Sequence, residues 1–361
     1  MADSIDKSVL SPFSASDFGR AQMLTQIQNF YTKKAEQKTA SITNRFTASI
    51  NSINMENDRW RAVREGIQAG RSILSDNLAR AKSILASLNN MISAVNKAGQ
   101  NAEGYTNALG YAATFDSYLR SLDYAASNST TKPNLLGVAK QELNFRVGIH
   151  GATQTTNSAY LGSDYYIIDS EGKYWDLDRS AQILKRYDVY PDDPMSNAAN
   201  LATGLRLDDL TGDAITFTVG PDTATPETFS GTLYRTGLDI LDSWGYEGLA
   251  TEAGRQQALD DLNSAKVAVD IEVRRYTLAF TTADYYEKVA SEAISGLVKK
   301  TNQLTIDQAI EIQKEQAALS QEYQTSTNSI VQAIAAQNQY GRMLGAALSN
   351  KFGKSLVNIL T

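Results

Sequence analysis

Cysteine is absent from this chain of 361 residues, which excludes disulfides, thiolate metal sites and cysteine nucleophiles together. Histidine occurs once, as His150, so a site built from several imidazoles is excluded as well. No apolar run approaches the ~18 residues that a membrane-crossing helix needs, and no membrane insertion is expected. The first residues, MADSIDKSVLSPFSASDFGRAQ, lack the basic start and apolar core of a secretory signal peptide. The chain is therefore expected to stay in the cytosol or to leave by a route that does not use a cleaved signal. Net charge is −6, which removes the electrostatic reason to expect a nucleic-acid partner.

Proline is scarce, and its placement maps the chain. The six residues are Pro12, Pro133, Pro191, Pro194, Pro221 and Pro226, so residues 13–132 and 227–361 contain none. A proline inside a helix costs about 3 kcal/mol, so these tracts are where long helices can run. The middle is richer in Gly, Tyr, Thr and Asp. The expected fold class is α+β: a long antiparallel α-helical coiled-coil rod built from both chain ends, with a central, mostly β inserted domain. The expected segments are an N-terminal assembly helix over 1–50, rod helices over 51–134, an exposed β-rich domain over 135–250, a returning rod helix over 251–304 and a C-terminal assembly helix over 305–361.

Residues 67–95 organise the rest. Their apolar members are Ile67, Leu74, Leu78, Ala81, Leu85, Leu88, Ile92 and Val95, and from Leu74 onward the steps alternate four and three. That is the spacing of a coiled-coil seam, and such a stripe needs a partner helix. Leu259, Leu262, Val269, Val273, Tyr276, Phe280 and Ala283 repeat the pattern near the other end. The predicted rod seam sets Leu74, Leu78, Leu85, Leu88, Ile92 and Val95 against Leu262, Val269, Val273 and Tyr276. Gly66 and Gly70 read as weak points, each costing a helix about 1 kcal/mol against alanine. A break is expected near 304–307, where Thr305 or Asp307 could cap a new helix. Beyond it, Ile330, Ile334, Leu344, Leu348, Phe352 and Leu356 form an apolar stripe with no core of its own. Such a stripe expects a groove or identical neighbours, and these six residues are the predicted filament-assembly contacts.

The middle reads as strands. LNFRVGI alternates apolar and polar residues, DYYIIDSEGKYWDLD is a hairpin candidate turning at 170–172, and AITFTVG with ETFSGTLYRT suggests an antiparallel pair.

Several constellations invite a chemical reading. Asp176 with Asp178, Asp192 with Asp193 and Asp208 with Asp209 could be calcium ligands or acid–base pairs, but solvated turn carboxylates are far commoner. His150 falls in a predicted strand with no GxSxG elbow to partner it, which reads as a strand-end or surface histidine. The glycines form no phosphate-cradling pattern. No catalytic residue, cofactor or metal site is expected. Tyr165, Tyr166, Tyr174, Trp175, Tyr187 and Tyr190 could stack on sugar rings, although cross-strand packing is the simpler role. Arg59, Arg61, Arg64, Arg71 and Arg80 read as the wet side of a helix, able to meet acidic residues of a neighbouring copy in an assembly.

The order of short motifs resembles the bacterial flagellins. NRFTASI (residues 44–50) is similar to their Asn-Arg-Phe-Thr segment, and DNLARAKSILASL (76–88) to the Asn-Leu-x-Arg run on their rod helix. NLLG (134–137) and FRVG (145–148) resemble the loop and first strand that follow, and TIDQAIEIQKEQAALSQ (305–321) their closing Gln-rich helix. The likeness covers roughly 40–150 and 255–336. The flagellin Ser-Ser-Gly and Asp-Asp-Ala-Ala-Gly stretches are missing, Trp60, Trp175 and Trp244 are extra, and the chain runs on through GRMLGAALSNKFGKSLVNILT. The resemblance implies a non-enzymatic structural subunit of an extracellular helical filament, serving motility or attachment. Its partners would be copies of itself, with an export chaperone and a filament cap. Alternatives with the same layout are a hook-associated junction protein or a type III secretion tip or translocator protein. A carbohydrate-binding module or enzyme on a helical stalk is the third reading.

Overall fold

A computed structural model describes residues 15–100 and 105–357. The protein is α+β, about 64% helix, with a long C-terminal helix and a curled antiparallel sheet. Helix α1 is Ala15–Gln100, α2 is Tyr105–Ser127 and α3 is Glu252–Val357. Nine strands lie between α2 and α3, followed by a short 3₁₀ segment, Ser243–Leu249. The chain divides into two compact units, one of Met1–Asp58 with Ala293–Thr361, the other of Arg59–Glu292.

In the first unit, segments of α1 and α3 are bridged by ion pairs. Lys34 meets Glu322, Lys38 meets Glu315 at 3.2 Å, and Arg45 meets Glu311. As one partner's number rises the other's falls, so the two segments run antiparallel. Tyr31 adds a 2.8 Å hydrogen bond to Ser326 and an edge contact with the Tyr323 ring. The expected break at 304–307 does not form, and α3 continues through it. The polar groups that could cap a new helix are used along the existing one. The Thr305 hydroxyl donates to the Thr301 carbonyl at 3.0 Å, and Asp307 accepts from Gln303 at 2.8 Å.

In the second unit, α1 buries Ile67, Leu74, Ala81, Leu88 and Val95 at an interval of seven, together with Ile84, Met91 and Ala98. Leu78, Leu85 and Ile92 are half-buried beside them. The stripe is wider than a two-helix seam because this helix shares one core with α2, α3 and the strands. From α3, Leu262, Val269 and Tyr276 are buried and Val273 is half-buried in the same core. Arg71 pairs with Asp284 and Glu287, and Arg255 lies against Gly99, so here too α1 and α3 run antiparallel.

Strands β1 (Glu142–Arg146) and β2 (Thr153–Asn157) form a hairpin, tied to α3 where Gln154 donates to the Ala279 carbonyl at 2.8 Å. The larger sheet contains β3 (Ser163–Asp169), β4 (Tyr174–Asp178), β5 (Ile183–Val189), β6 (Asp193–Asn200), β7 (Leu205–Thr211), β8 (Ala214–Val219) and β9 (Glu227–Gly237). Its order is β6-β5-β4-β3-β9-β8-β7, every pair antiparallel. The sheet curls around Trp175, whose ring meets Phe217 and Phe229 at 5.1 and 4.8 Å. Trp175 Nε1 donates to Asp169 at 3.0 Å, and buried Arg186 meets the same carboxylate at 2.7 Å. Asp169 also accepts the N–H groups of Glu171 and Lys173, closing the β3–β4 turn at Gly172. Burial opposes its charge, but these donors outweigh burial and hold its pKa below the ordinary carboxylate value.

Candidate functional site

The predicted catalytic candidates are dispersed. His150 is exposed in the turn after β1. Asp178 accepts from the N–H of Ala181 at 3.0 Å and pairs with Lys185 at 3.7 Å. Asp208 accepts from Thr218 at 2.6 Å and from Arg206 at 2.9 Å, while Asp209 faces the Thr211 hydroxyl. Asp192 lies in the β5–β6 turn, and the Asp193 side chain lies outside the described residues. Among the described residues no group of three or more His, Cys, Asp or Glu could hold a metal ion.

Two polar networks that single-residue reading missed lie in the second unit. The first starts at Asn77, which sits where the α1 stripe would carry an apolar residue. Asn77 donates to the Ile73 carbonyl at 2.8 Å, and its Oδ1 accepts from the N–H of Leu135 at 2.9 Å and from Arg80 at 2.7 Å. Arg80 also donates to Asn134 Oδ1 and to the Ala125 carbonyl, each at 3.0 Å. The Tyr276 hydroxyl donates to the Leu135 carbonyl at 3.0 Å. The Asn-Leu-x-Arg and Asn-Leu-Leu-Gly segments, far apart in sequence, therefore form one network. It locks the 134–137 loop to α1 and α3, and every bond in it is structural.

The second network gathers carboxylates around one guanidinium. Arg179 reaches Asp123, the Ser163 carbonyl and, at 3.4 Å, Asp242. Asp242 accepts from the Tyr165 hydroxyl at 3.1 Å, and Trp244 Nε1 donates to that hydroxyl at 2.8 Å. Asp116 accepts both the N–H and the hydroxyl of Ser243 at 2.7 Å. Burial and the Asp242 charge push the Asp116 carboxyl up to about 7. Burial also pushes Asp123 up to about 7, against the pull of Arg179. Burial works against the Arg179 charge, yet the carboxylates of Asp242 and Asp123 outweigh it and raise its pKa. The network clasps α2, β3, the β4–β5 loop and the segment before the 3₁₀ turn. The spacing of these residues in the chain carries no signal for it.

The aromatic cluster divides by strand alternation. Tyr165 and Trp175 turn into the core, whereas Tyr166, Tyr174 and Tyr187 turn outward. Tyr234 joins them through the β3–β9 register, giving the stacked series Tyr234, Tyr166, Tyr174 and Tyr190, with ring centroids 4.9–5.4 Å apart.

The predicted assembly residues lie on the first unit's portion of α3. Ile330 and Ile334 are half-buried and Leu344 is exposed. The side chains of Leu348, Phe352 and Leu356 lie outside the described residues. Ile330 and Ser326 of α3 line a groove of about 360 Å³ with Met23, Ile27, Phe30 and Tyr31 of α1. Phe30 is 60% exposed, and Ile306, Ile310, Tyr340 and Met343 are exposed on α3.

No protein-family model matches the chain, and no curated protein sequence matches it.

Proposed function

We propose that the chain is a structural subunit of an extracellular, flagellin-like helical filament. In this reading α1 and α3 form an antiparallel coiled-coil rod built from both chain ends, and the curled sheet is the projecting domain. Copies of the same chain are its principal partners, with an export chaperone and a filament cap as accessories. The observation that carries the reading is the apolar surface left on the first unit's helices. Phe30, Ile306 and Ile310 are exposed although α1 and α3 pair along that stretch, and Tyr340, Met343 and Leu344 are exposed farther along α3. Identical helices of adjacent copies would cover that surface, and a contact repeated around a non-closing rotation builds an open tube. The meeting of Asn77 and Arg80 with Asn134 and Leu135 gives the flagellin-like motif order a shared structural task.

Electron microscopy of the purified full chain, with and without residues 341–361, tests the proposal. Long fibres from the full chain and a soluble, helical truncated protein are expected. Discrete rings or dimers from the full chain would favour a junction or tip protein. Fibres of normal length from the truncated chain would overturn the proposal.

A further inference from the structure

Charge is unevenly distributed along the chain. Residues 151–240, which contain the curled sheet, carry fourteen carboxylates against six basic side chains. Residues 59–100 of α1 carry seven basic side chains against two acidic ones. Asp164 and Asp176 of the first group and Arg59 of the second lie beside unfilled surfaces of the second unit.

On the sheet, the outward row of Tyr166, Tyr174, Tyr190 and Tyr234 is flanked by Asp164 and Asp176. Asp176 accepts a hydrogen bond from Tyr190, and among the described residues neither carboxylate is in an ion pair. On the helix side, a groove of about 580 Å³ runs between α1 and the β1–β2 hairpin. Ala62, Gly66, Phe145 and Ile149 line it, with Arg59 and Arg146 exposed beside them. A Cβ added at Gly66 would meet nothing within 4 Å, so the groove is open there. Neither arginine is in an ion pair among the described residues.

We infer that the tyrosine row of one copy docks into the Arg59–Arg146 groove of a second copy. The inner rings of the row cover one another's faces, so the attraction comes from Asp164 and Asp176, which suit guanidinium groups. Aromatic residues and arginine are the types enriched at protein interfaces. Sheet against sheet would set two acidic surfaces together, and an anionic membrane or nucleic acid would be repelled by the same surface. Groove against groove would oppose arginine to arginine. Only the crossed pairing matches in charge. Because the two patches are different surfaces of one chain, the contact is heterologous and leaves one free patch at each end to propagate. The inference rests on the filament reading and assigns a contact to it outside the terminal helices.

Charge reversal in the full chain tests it. Asp164→Lys with Asp176→Lys alters the sheet, and Arg59→Glu with Arg146→Glu alters the groove. Sedimentation velocity and electron microscopy at low and high salt give the readout, with circular dichroism as the control for folding. Wild-type association should weaken with salt, and each double variant should need at least tenfold more protein to associate. An equimolar mixture of the two variants should regain association, since each variant's sheet then fits the other's groove. The fourfold variant should regain it alone. Association of each double variant at the wild-type concentration overturns the inference, as does failure of both the mixture and the fourfold variant to recover. Normal assembly of the reversal variants, with a neutral oligosaccharide bound by the wild type and lost in Tyr174→Ser, would make the occupant a glycan and overturn it too. Salt-sensitive, reversal-sensitive oligomers without fibres would uphold this contact and sink the filament reading. Fibres indifferent to all four substitutions would do the opposite, and a wild type that never associates would overturn both.

Discussion

The ring of Phe145 occupies the space where Gly70 would carry a Cβ, with its nearest atom 2.5 Å from that position. Gly70 lies inside α1 and Phe145 in β1, so a residue that weakens the helix locally is what admits the hairpin to its surface. Gly70→Ala gains about 1 kcal/mol in helix propensity but drives a methyl group into the ring. Overpacking of this kind costs roughly 1–3 kcal/mol, so a net loss of stability is expected. Gly66→Ala meets nothing and should stabilise by about 1 kcal/mol. Urea unfolding of the two variants checks the opposite signs; equal shifts in one direction would contradict the packing account.

Asn77→Ala should be severe for a single buried amide. It leaves the buried Leu135 N–H without its acceptor and takes one acceptor from Arg80, which keeps Asp76, Asn134 and the Ala125 carbonyl. A buried donor deprived of its partner costs about 1–3 kcal/mol. Tyr276→Phe, which removes the donor to the Leu135 carbonyl, should cost less, because the Ala159 N–H still serves that oxygen at 2.8 Å. Thermal melts should rank the two variants in that order.

Stability should fall as pH rises through neutrality. Asp116 keeps its proton up to about pH 7 in the folded protein, whereas an unfolded aspartate releases it near pH 4. Its contribution is fully present below about pH 4 and lost as pH climbs through 7. Asp123 acts in the same direction. Asp169, whose pKa is lowered, contributes above the ordinary aspartate value and loses that contribution only in acid, outside this window. The urea midpoint should therefore be lower at pH 8 than at pH 5, and Asp116→Asn should shrink the difference. A midpoint that rises over this interval would exclude a neutral Asp116.

Substituting the exposed apolar residues of the first unit should separate folding from assembly. Phe30→Ser with Ile310→Ser removes side chains that bury little in the monomer, so helicity should be kept. The protein concentration needed for assembly should rise at least tenfold, which corresponds to about 1.4 kcal/mol per subunit contact. Light scattering against concentration reads this directly. An unchanged threshold would move the essential contacts away from these residues.

The sequence by itself determined that both proline-free tracts are mainly helical, because proline content and a seven-residue apolar interval are local properties of the chain. It did not determine that each helix runs unbroken, through 50–51 in α1 and 304–307 in α3. The hairpin at Gly172 and the division of neighbouring aromatics between two faces follow from strand alternation, also local. Other features were decided only where distant segments met. Ile84 and Met91 became core residues because α1 shares its core with more than one partner, which widens the buried stripe beyond a two-helix seam. Thr305 and Asp307 could have begun a helix, yet their polar groups found partners one turn away and α3 ran through. Asp116 and Asp123 look like ordinary helix carboxylates until packing against Asp242, Ser163 and Arg179 removes them from water. Tyr234 belongs to the tyrosine row only through the register of β9 on β3. Periodicity reports which face of an element is apolar; which side chains share that face's environment depends on segments far along the chain, and packing sets that choice.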